Sequence, residues 1–166
     1  SFWNIYDQVM IRPSMRKCFV EKSLKIITDI QNYSLVDKLK HPRIADPEKM
    51  VFIVDHNVPS DSPKTAASQK KMRDFAREHG IDFWEGKGVC HQIMMEHYVC
   101  PGELIFGADS HTCTYGALGA FGTGVGCTDL LYGMVTGTSW VLVPETVKFN
   151  LTGRLPEGVY PRDLML

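Results

Sequence analysis

The sequence predicts an α/β fold with a mainly parallel sheet flanked by helices. Three observations lead there. Met50-Val51-Phe52-Ile53-Val54 is an uninterrupted apolar, β-branched run of the kind that forms a strand buried on both faces. A well-capped helix and a second short strand follow it, which makes a βαβ unit. A third apolar run, Glu103-Leu104-Ile105-Phe106-Gly107, leads directly into a cluster of small polar residues.

In chain order, residues 1–45 are Lys-rich and contain no glycine, and all 14 glycines lie from Gly80 onward. Val20 to Ile30 spaces its apolar residues at helical intervals and predicts a helix. The composition thus changes near residue 46; residues 1–43 are expected to be a divergent helical N-terminal segment and residues 44–166 the α/β domain, a boundary set by the resemblance given below. Pro42 and Pro47 bracket a loop before the Met50–Val54 strand. Ser62 suits an N-cap and Pro63 the first helical position of a helix over Lys64 to His79, with Ala67, Met72, Phe75 and Ala76 available for burial and Gly80 as its stop. Ile81 to Trp84 is the next strand. Cys90 to Tyr98 is a short helix that ends before Pro101-Gly102. Gly116, Gly119, Gly122, Gly124 and Gly126 follow the third strand, and read either as a loop of accessible backbone N–H groups or as a tight, close-packed turn. Thr128 can cap a helix over Asp129 to Thr136. Trp140 to Pro144 and Thr146 to Thr152 predict two more strands, and Pro161 can open a further helix.

Composition narrows the function classes. The chain has 166 residues, the size of a single domain, with 44% hydrophobic and 22% charged residues. That balance excludes a disordered chain. Eighteen Lys plus Arg against 19 Asp plus Glu leave a formal charge of −1, so nothing marks nucleic acid or an anionic membrane as partner. No apolar run approaches the roughly 18 residues of a membrane span. Ser1 to Phe19 has no apolar core of secretory length. Five cysteines, Cys18, Cys90, Cys100, Cys113 and Cys127, form neither an even framework nor a C-x-x-C pair. This favours a reducing compartment, the cytoplasm or an organelle matrix. Cys113 and Cys127 are expected to be small buried residues.

Three pieces can carry chemistry. Asp55-His56 follows the first strand, His91-Gln92 opens a short helix, and Asp109-Ser110-His111-Thr112 follows the third strand. Neighbouring strand ends converge on one edge of a parallel sheet, so two Asp and three His are expected to meet around one pocket. Imidazole exchanges protons near neutrality, and an adjacent carboxylate fixes its tautomer. Three imidazoles can also hold the carboxylates of an anionic substrate. His41, His79 and His97 are expected at the surface. Gly122-Thr123-Gly124-Val125-Gly126-Cys127 is neither a dinucleotide fingerprint nor a P-loop.

These motifs resemble the aconitase superfamily from about Ile44 to Leu166, in particular the large subunits of 3-isopropylmalate dehydratase and its homoaconitase and dimethylmalate dehydratase relatives. The resemblance rests on Asp46-Pro47-Glu48-Lys49, Asp55-His56-Asn57-Val58-Pro59, Gly88-Val89-Cys90-His91-Gln92 and Pro101-Gly102. It continues through Gly107-Ala108-Asp109-Ser110-His111-Thr112-Cys113-Thr114-Tyr115-Gly116-Ala117 and Val143-Pro144-Glu145-Thr146.

The resemblance implies a hydro-lyase that isomerises a hydroxy-di- or tricarboxylate, such as 3-isopropylmalate, through an unsaturated intermediate. The Lewis acid is one iron of a 4Fe–4S cluster. By the same resemblance, Asp55 and His56 handle the departing hydroxyl, His91 and Asp109 pair in the site wall, and Ser110 and His111 contact substrate. The family's cluster cysteines lie beyond Leu166, so no metal ligand is expected within this chain. The serine base belongs to a swivelling domain or a small subunit, the expected partner. Residues 44–166 then form a partial aconitase-type domain, truncated at its C-terminus and inactive in isolation. Two rival readings stay open: a non-catalytic fragment or pseudoenzyme that binds a partner or a carboxylate, and a mononuclear metal hydrolase built on His56, His91, Asp109 and His111.

Overall fold

A computed structural model describes residues 24–28 and 43–164. Five strands form one sheet: β1 (Leu24–Thr28), β2 (Met50–Val54), β3 (Asp82–Glu85), β4 (Leu104–Gly107) and β5 (Phe121–Gly124). All pairings are parallel, in the order β3-β2-β1-β4-β5. Among the described residues, three helices flank the sheet: α1 (Pro63–His79), α2 (Cys90–His97) and α3 (Cys127–Thr136). A run of 3₁₀ helix covers Ser110–Leu118.

The period of two along β2 assigns its side chains to two cores. Met50, Phe52 and Val54 pack on one face with Met72, Phe75 and Ala76 of α1 and Leu130 and Met134 of α3. Val51 and Ile53 pack on the other with Ile93 and Met94 of α2 and with Tyr115. Full burial of each large side chain contributes about 1.5–3 kcal/mol, which is why β2 carries no polar residue on either face. Phe52 and Phe75 stack with ring centroids 6.0 Å apart. The Arg73 guanidinium clasps both carboxylate oxygens of Glu85 at 2.7–3.0 Å, tying α1 to β3, and the Glu85 hydrogen bonds hold Arg73 above its usual pKa.

The α1 boundaries follow the predicted caps. The Ser62 hydroxyl accepts the Thr65 N–H at 3.1 Å, and Gly80 ends the helix at φ +71°. Within α1, Ala67 is exposed and the buried polar residue Gln69 takes its expected place. Helix α2 and strands β2, β3 and β4 also lie where the sequence puts them.

Several expectations about the elements need correction. The Val20–Ile30 stretch does not form a helix over its described part: Leu24–Thr28 is the central strand, paired with β2 and β4. Its β-branched residues fit a site hydrogen-bonded on both sides, and tertiary pairing overrides a helical spacing. The rest of residues 1–43, His41 included, lies outside the described residues save Arg43. Second, the glycine-rich stretch is not a loop. Phe121–Gly124 pairs with β4 as a strand, and Gly124 is needed because a Cβ there would lie 2.7 Å from the Asp109 carbonyl oxygen. Third, α3 starts at Cys127 with Gly126 as its cap, so Thr128 lies inside the helix. Fourth, residues 140–152 form no strand. Trp140, Leu142, Val147, Phe149 and Leu151 are exposed, and among the described residues no strand pairs with them. Pro161–Leu164 is a single 3₁₀ turn. No helix among the described residues is long and apolar enough to cross a membrane.

Strand order positions the site. The chain runs outward from β1 through β2 to β3, then returns to the other side of β1 for β4 and β5. Ligands of open parallel sheets bind beyond the C-terminal strand ends where the order reverses. Asp55 follows β2 and Asp109 lies two residues after β4, on that edge.

Candidate active site

A cavity of about 310 Å³ opens on this edge. Asp55 and His56, Cys90 and His91, Asp109 and His111, and Tyr115 are among its lining residues. The structure thus brings together all five residues expected to act as acids, bases or their partners. Ser110 is exposed beside them on the same 3₁₀ run.

Asp55 sits in the wall with its side chain 8% exposed, whereas His56 is 79% exposed. One carboxylate oxygen lies 2.6 Å from Nδ1 of His56. The other accepts the backbone N–H of Cys90 at 2.6 Å. That bond caps α2, whose own N-cap residue, Val89, supplies no side-chain acceptor. The loop after His56 is held by the buried Gln69, which donates to the Asn57 carbonyl at 3.0 Å and accepts from the Ser60 hydroxyl.

Asp109 is the hub of the opposite wall. Its Oδ1 accepts the His111 backbone N–H at 2.7 Å, lies 2.9 Å from Nδ1 of His111 and lies 3.0 Å from Nε2 of His91. Partial burial disfavours the charged carboxylate, but these hydrogen bonds outweigh it and hold its pKa below the ordinary value. The His91 and His111 rings lie 5.8 Å apart between centroids.

Sequence reasoning gave Tyr115 no role in the site. Its side chain is fully buried, and its hydroxyl lies 3.0 Å from Nδ1 of His91. Burial, then the Cys90 thiol beside it, raise the phenol pKa, so it stays protonated. Its burial follows from the 3₁₀ winding of Ser110–Leu118, which eclipses residues three apart and turns Thr112 and Tyr115, the two buried members of the run, to one side.

Other expectations fall differently. Cys113 and Cys127 are exposed, not buried, because each sits on an outward side of its segment. His97 is exposed and stacks on Trp84, while His79 is half-buried against Phe75. Among the described residues, one group of three could hold a metal ion, His91, Asp109 and His111, whose donor atoms lie within 4.8 Å of one another. His56, included in the hydrolase alternative, is outside that group. Nitrogen and oxygen donors suit a divalent ion, whereas iron–sulfur clusters are held by thiolates. The described thiols, Cys90 buried and Cys100, Cys113 and Cys127 exposed, form no such set.

Comparison with known proteins matches the sequence to a family. The model of the aconitase family (aconitate hydratase) matches residues 12–166, so the match extends N-terminal to the motifs and takes in β1. The chain is 48% identical over 147 residues to a 3-isopropylmalate dehydratase large subunit of Methanopyrus kandleri, covering 85% of this chain and 35% of that protein. It is 47% identical over 135 residues to a 3-isopropylmalate dehydratase large subunit of Aquifex aeolicus, covering 80% and 31%. It is also 49% identical over 128 residues to a probable methanogen homoaconitase large subunit of Methanothermobacter thermautotrophicus, covering 75% and 30%. The chain spans about a third of the length of these relatives. With a matched model over most of its length and a site built from the matched residues, the chain belongs to the aconitase family.

Proposed function

We propose that this chain forms the acid–base and carboxylate-binding wall of a hydro-lyase of the 3-isopropylmalate dehydratase type, acting on a hydroxy-di- or tricarboxylate. The observation that carries the reading is the convergence of His56, His91 and His111 with Asp55 and Asp109 on one 310 Å³ cavity at the sheet's C-terminal edge. The dehydratase and homoaconitase names of the relatives support the reaction class.

Loss of water from such a substrate breaks a C–O and a C–H bond. His56, oriented by Asp55, donates the proton that lets the hydroxyl leave as water. His111 and Ser110 bind the substrate's carboxylate, and Asp109 fixes the His111 ring. The base that takes the carbon-bound proton is assigned to a small-subunit partner, which the relatives' large-subunit names support. Family membership implies a 4Fe–4S cluster in the intact enzyme. The described thiols do not fit it, and its ligands are assigned to sequence outside the described residues. The exposed Cys100 and Cys113 thiols suit the cytoplasm or an organelle matrix.

The test is an NMR titration of the chain with 3-isopropylmalate, with a 2-hydroxy monocarboxylate as control. Saturable shifts of the His56, His91 and His111 ring signals by the dicarboxylate alone, lost in Asp109→Ala, are expected. Silent histidines, or an equal response to the monocarboxylate, would overturn the assignment.

A further inference from the structure

We propose that Tyr115 is a positioning residue whose hydroxyl donates to Nδ1 of His91 and fixes that ring as a support for Asp109. The argument follows the protons. Asp109 is ionised and can only accept hydrogen bonds. Its Oδ1 already takes the His111 backbone N–H, so Nε2 of His91, 3.0 Å away, has to bring a proton of its own. In a neutral imidazole the other nitrogen, Nδ1, is then an acceptor. The group facing it at 3.0 Å is the Tyr115 hydroxyl, a protonated phenol. The Cys90 sulfur beside it is a second acceptor for the same phenol, and that hydrogen bond also raises the phenol pKa. An imidazole nitrogen is the stronger acceptor of the two, sulfur being a weak one.

The consequence separates His91 from the other two histidines. Both of its ring nitrogens are committed inside the wall, one to Tyr115 and one to Asp109. His91 therefore acts through Asp109 and does not itself exchange protons with substrate. Tyr115 is well placed to set it. The ring is fully buried, and a Cβ on Gly122 would come within 3.1 Å of its Cδ2, so the phenol is held on two sides. A tyrosine free to swing would leave His91 anchored at one end only.

The inference deepens the functional reading above and draws its importance from it, but proton positions can be read without turnover. The experiment is ¹⁵N NMR of histidine-labelled chain at pH 8, where an ordinary imidazole is neutral. In the wild type, His91 is expected to carry its proton on Nε2. Its Nδ1 should show the shielded signal of a hydrogen-bonded acceptor, with coupling to a slowly exchanging Tyr115 hydroxyl proton. Tyr115→Phe keeps the ring and removes the donor, and should move Nδ1 to the deshielded position of an unbonded nitrogen. Either a proton found on Nδ1, or an Nδ1 signal unchanged in Tyr115→Phe, would overturn the proposal. Should that variant not fold, the wild-type coupling alone decides. Loss of these signatures with intact 3-isopropylmalate binding would refute this inference alone, and the converse would refute the functional reading alone.

Discussion

Asp55 and Cys90, thirty-five residues apart, meet at 2.6 Å where the carboxylate caps helix α2 through its first backbone N–H. The same side chain orients His56, so one aspartate sets both the exposed imidazole and the start of the helix that carries His91. Asp55→Ala should cost about 1–2 kcal/mol, as other lost N-caps do. Urea unfolding measures it. Asp55→Asn keeps an oxygen acceptor and should recover part of the loss. Equal stability of Asp55→Ala and wild type would show that the cap contributes nothing.

Asp109 should stay ionised to lower pH than a free aspartate. Its folded pKa lies below the ordinary 3.8, because the His111 and His91 hydrogen bonds outweigh partial burial. The sign follows: these bonds stabilise the fold above the unfolded pKa, and that contribution is lost as pH falls through the lower folded value. A ¹³C carboxyl titration is expected to place the midpoint below 3.8, and His111→Ala should raise it. A midpoint at or above the ordinary value would contradict the hub geometry.

Tyr98 makes the opposite prediction at alkaline pH. Burial first, then donation to the Asp82 carboxylate, push its phenol up to about 12. The linked stability is complete below pH 10 and is lost as pH rises through about 12. Tyr98→Phe also strands the Trp84 indole N–H, which donates to the Tyr98 hydroxyl at 2.6 Å. A loss of about 1 kcal/mol at neutral pH is expected. Unfolding curves from pH 7 to 12 should show wild type and variant converging.

Gln69 is the buried polar residue of α1, and its amide holds the loop after His56 through Asn57 and Ser60. Gln69→Leu preserves bulk but leaves the Asn57 carbonyl without its donor, at a cost of about 1–3 kcal/mol. Broadened His56 ring signals with unchanged His111 signals would confirm that the effect is local to this loop.

Most of this architecture is legible residue by residue. Strand β2 announces itself by five consecutive apolar residues, and α1 by Ser62-Pro63 at one end and Gly80 at the other. Asp55-His56 and Asp109-x-His111 are legible because each pair is nearly adjacent in sequence. Strand β1 is not: Leu24-Lys25-Ile26-Ile27-Thr28 fits a helical spacing as well as a strand, and only its hydrogen bonds to β2 and β4 decide. The pairings of Asp55 with Cys90 and of His91 with Tyr115 join different elements and no local pattern encodes them, while that of His91 with Asp109 was expected from the family resemblance alone. Residues 140–152 show the reverse error. Their apolar residues suggest strands, but a strand also needs a neighbour to bond to, and among the described residues none pairs with them.

Strand β1 also governs how the site comes into being. It pairs Ile26 with Met50 on one side and Leu24 with Leu104 on the other, so the second contact closes a loop of about eighty residues. Such distant parallel pairings form late and set a slow pace for folding. Until that closure the β2–β3 half holds Asp55 and His56 while the β4–β5 half holds Asp109 and His111. The two walls of the cavity are thus assembled in a single event of chain topology. A substitution that weakens the pairing of Leu24–Thr28 would act on ligand binding at the cavity as a folding defect, lowering the fraction of molecules that possess the cavity and leaving the affinity of each complete one unchanged.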